Sequence, residues 1–225
     1  MIENNLIPIL SIETSGEVCG ASVFFDMNKF FEININEKNV HSEKIFEVIE
    51  GVLNLCGIKM NEVGTIAVSS GPGSFTGLRI GMSAAKGLAF GSNKAIIPVP
   101  TFEALALQIS GSISANVKFA ICNKVNNEEV YLGIFSSLEN NYKILNNIRV
   151  VKTNEIEKNL GMVELIYGNV KIGDEFRFIH KNIAVPSSVF ISKWAYLFGK
   201  DLLTFNYDFL EPNYLKNFIV RQSYE

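Results

Sequence analysis

Residues Ser69–Gly91 read SSGPGSFTGLRIGMSAAKGLAFG. Within them, Gly71-Pro72-Gly73-Ser74-Phe75-Thr76-Gly77 places a tight turn between an apolar run, Thr65–Ser70, and a helical pattern that continues to about Phe90. Free backbone N–H groups and the helix dipole make such a strand–turn–helix junction a place where an anion can sit. The spacing is not a dinucleotide-binding fingerprint, because the third glycine falls at 77 rather than 76, and no G-x-x-x-x-G-K-[ST] string occurs in the chain. Glycines also serve a turn and close packing without any ligand, and residue types alone leave both readings open. In the helix, Phe75, Leu78, Met82, Ala85 and Ala89 form one apolar stripe, and Gly77, Gly81, Ala84 and Leu88 a second of small residues. Thr76, Arg79, Ser83 and Lys86 are left for solvent. Each glycine costs a helix about 1 kcal/mol relative to alanine, so some neighbour is expected to approach the backbone closely. That neighbour is either the helix at 41–56 of the same lobe or another protein chain.

Upstream, Leu6–Glu13, Val18–Phe25 and Lys29–Asn36 read as three strands of an antiparallel meander, the first two separated by the turn Thr14–Glu17. Between His41 and Cys56 the period changes to that of one amphipathic helix, with Gly57 at the C′ position. Ala95–Val99 is a fifth strand. Downstream, Val117–Cys122, Val130–Ser136 and Tyr142–Val151 read as strands, Thr153–Leu160 as a short helix with Thr153 as N-cap, and Val163–Tyr167 as a strand. A final helix, Ser187–Phe198, puts Phe190, Ile191, Trp194, Leu197 and Phe198 on one face. Both halves thus read strand–strand–strand–helix–strand–helix, which predicts two similar α/β lobes joined near Pro100–Gly111 with a cleft between them.

Composition narrows the function. The 225 residues carry 20 basic and 23 acidic side chains, a formal charge of −3, without the basic excess of stand-alone nucleic-acid binders. Three widely spaced cysteines (Cys19, Cys56, Cys122) make no disulfide framework and suit a reducing cytoplasm. Two histidines, His41 and His180, cannot form an imidazole-rich metal site. No signal peptide and no uninterrupted apolar run of membrane-spanning length is read from the sequence, so no membrane association is expected. Cys19 reads as a small core residue. Phe205, Tyr207, Phe209 and Tyr214 read as core or partner packing rather than a base-stacking set.

The string GPGSFTGLRIGMSAAKGLA, the opening ILSIETSGEVCGASV, the helix start His41-Ser42 and the late Glu211-Pro212-Asn213-Tyr214-Leu215-Lys216 together resemble the TsaB (YeaZ) family of tRNA threonylcarbamoyladenosine biosynthesis. The likeness covers most of residues 6–107 and continues as islands at Glu129-Val130-Tyr131 and Tyr167-Gly168-Asn169. It implies an α/β, actin-like and sugar-kinase-like (ASKHA) fold of two ribonuclease-H-like lobes with mixed sheets, here 1–103 and 104–225. It also implies a non-catalytic subunit that pairs with a TsaD-like catalytic subunit through first-lobe helices, with a TsaE-like ATPase joining and tRNA reached through the complex. A homodimer is the expected alternative when the chain is alone.

Placed on this sequence, the partner surface is expected at His41, Ile45, Gly77, Arg79, Gly81, Ala84 and Leu88, and a phosphate-turn remnant at Glu13, Thr14, Ser15, Gly71, Gly73, Ser74 and Thr76. A carboxylate at Glu13 could order magnesium-bound water, and the hydroxyls beside it could contact phosphate, the layout of an independent ATP-dependent phosphotransferase. That alternative needs a second-lobe site, and Lys124-Val125-Asn126 and Tyr167-Gly168-Asn169-Val170 depart from the family's pattern there. The relative's paired metal-binding histidines fall at Thr101 and Leu105 here, so no catalytic residue, metal or cofactor is expected, and a peptidase cannot be assembled.

Overall fold

The computed structural model describes residues 6–163, 165–170 and 178–215. β1 (Ile9–Glu13), β2 (Val18–Phe24) and β3 (Phe30–Asn36) form the antiparallel meander, and β4 (Thr65–Gly71) and β5 (Ala95–Pro100) add in parallel to give the order β3-β2-β1-β4-β5. The second sheet repeats the plan with β6 (Lys118–Lys124), β7 (Glu129–Leu138), β8 (Asn141–Lys152), β9 (Leu165–Gly168) and β10 (Ile179–Lys181), in the order β10-β9-β6-β7-β8. Read from their meander edges, the two orders are the same, with β6–β8 antiparallel and β6, β9 and β10 parallel. Every residue of β1 and β4 is buried, as a central parallel pair covered on both faces requires.

Helices cover the sheets in layers. α1 (His41–Cys56) stops at Gly57, whose φ of 72° ends the helix, and α2 (Phe75–Ser92) starts at Ser74, whose Oγ accepts from Gly77 N at 3.2 Å. Both helices bury their apolar sides on one face of the first sheet, Ile45, Ile49 and Val52 beside Met82, Ala85 and Ala89. Cys19 lies in that core, its thiol pushed up to about 11 by burial.

The stretch Pro100–Gly111, read as the joint between lobes, folds as α3 (Thr101–Ser110), a helix buried on almost every side that connects β5 of the first sheet to β6 of the second. Its Ala104 and Leu107 pack on the first sheet, while Phe102, Leu105 and Ile109 meet Phe119, Tyr131 and Phe135 of the second. The 103/104 division therefore falls inside an element that both sheets share. α5 (Ser188–Phe198) follows β10, as α3 follows β5, and packs on the first sheet rather than on its own. Its buried face is Val189, Ile191, Trp194 and Ala195 with Ser188 and Ser192; Leu197 and Phe198 stay partly exposed, unlike the expected stripe. The short α4 (Ile156–Leu160) covers the far face of the second sheet. Thr153 opens a 3₁₀ turn before it and makes no side-chain cap, which corrects that expectation. Among the described residues no helix is long and apolar enough to cross a membrane.

Polar contacts fix α5 across the chain. Ser11 Oγ donates to Ser188 O at 2.6 Å, and Ser22 Oγ is 2.8 Å from Ser192 Oγ, all four serines being fully buried. Glu32 of β3 caps the helix start, accepting from Ser188 Oγ (3.3 Å) and Val189 N (3.2 Å). Trp194 Nε1 donates to Tyr142 Oη at 2.8 Å, and Tyr142 donates on to Glu103 of α3. Replacing Glu32 with alanine is expected to destabilise the chain by about 1 kcal/mol through loss of this cap, read as a lower midpoint in urea unfolding.

Candidate functional site

β1 runs into the turn Glu13–Ser15, and that turn is built into α2. Thr14 is fully buried and its Oγ1 donates to Gly77 O at 2.8 Å; Ser15 O accepts from Ser74 N at 2.7 Å. A Cβ on Gly77 would collide with the Thr14 carbonyl, and one on Gly81 with Thr14 Oγ1. The close neighbour that the glycine stripe demanded is therefore this turn, neither the 41–56 helix nor another chain. Four residues expected on a partner surface lie buried within the lobe instead, Gly77 and Gly81 under the Thr14 turn and Ala84 and Ile45 in the core beneath α1 and α2. His41 is also buried, with Nε2 3.1 Å from Val18 O. Arg79 is exposed and Leu88 half-buried.

Glu13 is 0% exposed. Its Oε1 accepts from Ser15 N at 2.6 Å and from Ser15 Oγ, while Oε2 has no hydrogen-bond partner. Burial outweighs the hydrogen bonds from Ser15 and raises its pKa to about 7.

A cleft of about 900 Å³ opens between the lobes. Ser15, Gly73, Ser74 and Thr76 line it from the first lobe with His41 and Lys38; Asn123, Lys124, Val125, Tyr131 and Asn169 line it from the second. Glu13, Thr14 and Gly71 of the expected phosphate turn are not on its wall: Glu13 is buried on Ser15, Thr14 faces the α2 packing, and Gly71 N donates to Thr101 Oγ1 at 3.0 Å. Glu17 reaches the rim and pairs there with Lys38 at 3.1 Å.

The two departures in the second lobe meet each other, because Asn169 Oδ1 accepts from Lys124 N at 2.8 Å. Gly168, at φ 128°, leaves room for the Cys122 carbonyl that a side chain would strike. Sequence reasoning missed Asn123, which donates to Ala184 O, and the wall segment 182–185; a polar residue ending an apolar strand was the one available signal. Thr101 and Leu105 are both fully buried, one spent on Gly71 and the other in the core between the sheets. Among the described residues no group of three or more His, Cys, Asp or Glu side chains converges as metal ligands would. Of the late island, Glu211–Leu215 lies within the described residues and Lys216 outside them.

A family model described as TsaD: tRNA N6-adenosine threonylcarbamoyltransferase matches residues 35–188. The chain belongs to this family, in its TsaB (YeaZ) branch. The tRNA threonylcarbamoyladenosine biosynthesis protein TsaB of Haemophilus influenzae is 35% identical over 100 residues, 44% of this chain and 42% of that protein. The TsaB of Buchnera aphidicola subsp. Schizaphis graminum is 27% identical over 191 residues, 80% of this chain and 89% of that one. The match to the Haemophilus protein thus spans about two fifths of its length. YeaZ from Pseudomonas aeruginosa superposes with a TM-score of 0.75 at 18% identity, over 92% of this chain and 99% of that one, and so shares the fold. The two mixed sheets and that likeness give the TsaB-branch chain the α/β class expected of it.

Two outcomes test this TsaB-branch site. Glu13 contributes most to stability while neutral. Its contribution is present below the unfolded value of 4.5 and is lost as pH rises to about 7. Glu13→Gln is expected to raise the melting temperature at pH 8, an effect worth up to ~3 kcal/mol, and to make no difference at pH 4. Gly81→Ala is expected to destabilise by roughly 1–3 kcal/mol in urea unfolding despite alanine's better helix propensity, because its methyl group enters the Thr14 contact.

Proposed function

We propose that this chain is a non-catalytic, cytoplasmic subunit for forming N6-threonylcarbamoyladenosine in tRNA, which pairs through α1 and α2 with a TsaD-like catalytic subunit joined by a TsaE-like ATPase. One observation carries the reading. On the outer ridge of α2, Ser83, Gly87 and Gly91 are exposed, and a Cβ on either glycine would meet nothing within 4 Å. Unlike Gly77 and Gly81, these glycines have no internal neighbour to offset their cost of about 1 kcal/mol each.

Exposed apolar side chains accompany the ridge: Phe90, three residues after Gly87 on α2, is 80% exposed, and Phe46 on the neighbouring α1 is 57% exposed. A ridge without side chains lets another helix approach closely, and large apolar neighbours supply the area to be buried. The outer side of α1 carries Glu43, Glu47 and Glu50, whereas α2 carries Arg79 and Lys86, a division that suits pairing with a similar helix pair. The same division lets the face close on a second copy when the TsaD-like subunit is absent. With a net charge of −3, tRNA is met through the complex rather than by this chain alone. An independent phosphotransferase is disfavoured because Glu13 is fully buried and does not line the cleft.

Mixing the purified chain with the TsaD-like protein of the same cell is expected to give a heterodimer mass by light scattering at micromolar concentration. Persistent separate species would overturn the pairing. Gly87→Leu is expected to weaken pairing at least about tenfold while leaving the melting temperature unchanged or higher, since its site faces open space.

A further inference from the structure

The segment after α5 returns to the first lobe and lies along α2. Thr204 exchanges both backbone hydrogen bonds with Ile96 of β5 at 2.9 Å, and Tyr207 Oη donates to Lys94 O at 2.6 Å, just past the end of α2. Tyr207 and Leu210 pack against the first-lobe core. At the other end of α2, Asn213 N donates to Ser70 O at 2.6 Å, and the Tyr214 ring lies 5.0 Å from that of Phe75. Arg79 completes the cluster, its Nε donating to Tyr214 Oη at 3.1 Å and its guanidinium 3.9 Å above the Phe75 ring.

Gly71, at φ 106°, belongs to the same contact: a Cβ there would lie 2.8 Å from the Asn213 carbonyl oxygen. Two sequence islands some 140 residues apart, the glycine turn and Glu211–Leu215, are thus one contact.

We propose that residues 204–214 form a clasp that holds α2 in position for docking, with Tyr214 as a positioning residue. Closed, the Arg79–Tyr214–Phe75 cluster pins the first two turns of α2 against the end of β4. Open, it releases the turn 71–76 and the helix that follows. Both Arg79 and Asn213 are exposed, which marks the clasp end as a unit that opens locally before the sheet does. The docking consequence rests on the reading proposed above; the clasp itself does not.

Hydrogen exchange on the full-length chain, alone and then with the TsaD-like protein, separates the two. Tyr214→Ala is expected to speed exchange of the amides from 73 to 80 by about tenfold and to leave α1 and β1 unchanged, while Tyr214→Phe, which keeps the ring contact, stays near wild type. Pairing with the TsaD-like protein is expected to weaken about tenfold in Tyr214→Ala and to recover in Tyr214→Phe. Unchanged exchange at 73–80, or equal acceleration in α1 and β1, overturns the clasp. Faster local exchange with unchanged pairing overturns its positioning role. If the wild-type chain does not pair, the docking reading fails, and the exchange result by itself decides the clasp.

Discussion

The approach of the Thr14 turn to the glycine face of α2 is the constraint on which the first lobe depends. Gly77 and Gly81 let the turn come so close that its carbonyl and hydroxyl occupy the space of two side chains, and the hydroxyl then donates to the Gly77 carbonyl. This brings Ser15 within reach of Ser74, orders the start of α2, and aligns Gly73, Ser74 and Thr76 along the cleft. Glu13, just before that turn on β1, is buried with one carboxylate oxygen bonded to Ser15 and the other without a partner.

Glycine has two different meanings along α2. On the inner side it admits the chain's own backbone; on the outer side Gly87 and Gly91 face open space. Each glycine costs the helix about 1 kcal/mol relative to alanine, and the fold offsets that cost by close packing on the inner side alone. Phe90, three residues after Gly87 on the same helix, is 80% exposed.

The lobes are joined by more than a connection. α3 presents one side to each sheet, α5 crosses back onto the first, and the Glu103–Tyr142–Trp194 chain ties the two helices to β8. Sequence reading took 100–111 for a joint because a helix apolar on nearly all sides shows no amphipathic period; Pro100 before it and Gly111 after it were its only punctuation. The α5 stripe went astray for a related reason. Its buried serines, Ser188 and Ser192, count as polar in a pattern, yet they face the buried serines of β1 and β2.

Local periodicity and turn chemistry by themselves determined the meander, the limits of α1, the start of α2 at Ser74 and the duplicated α/β plan, because each depends on residues within a few positions of one another. The glycine string and its companion islands were likewise sufficient to recognise the family. Only the tertiary structure decided which glycines are spent inside the lobe and which face outward, that Glu13 is buried, and that Tyr214 reaches Arg79. Those outcomes depend on which atoms a helix meets across the fold, and a repeat of small residues at helical spacing carries no record of what lies on either side of it.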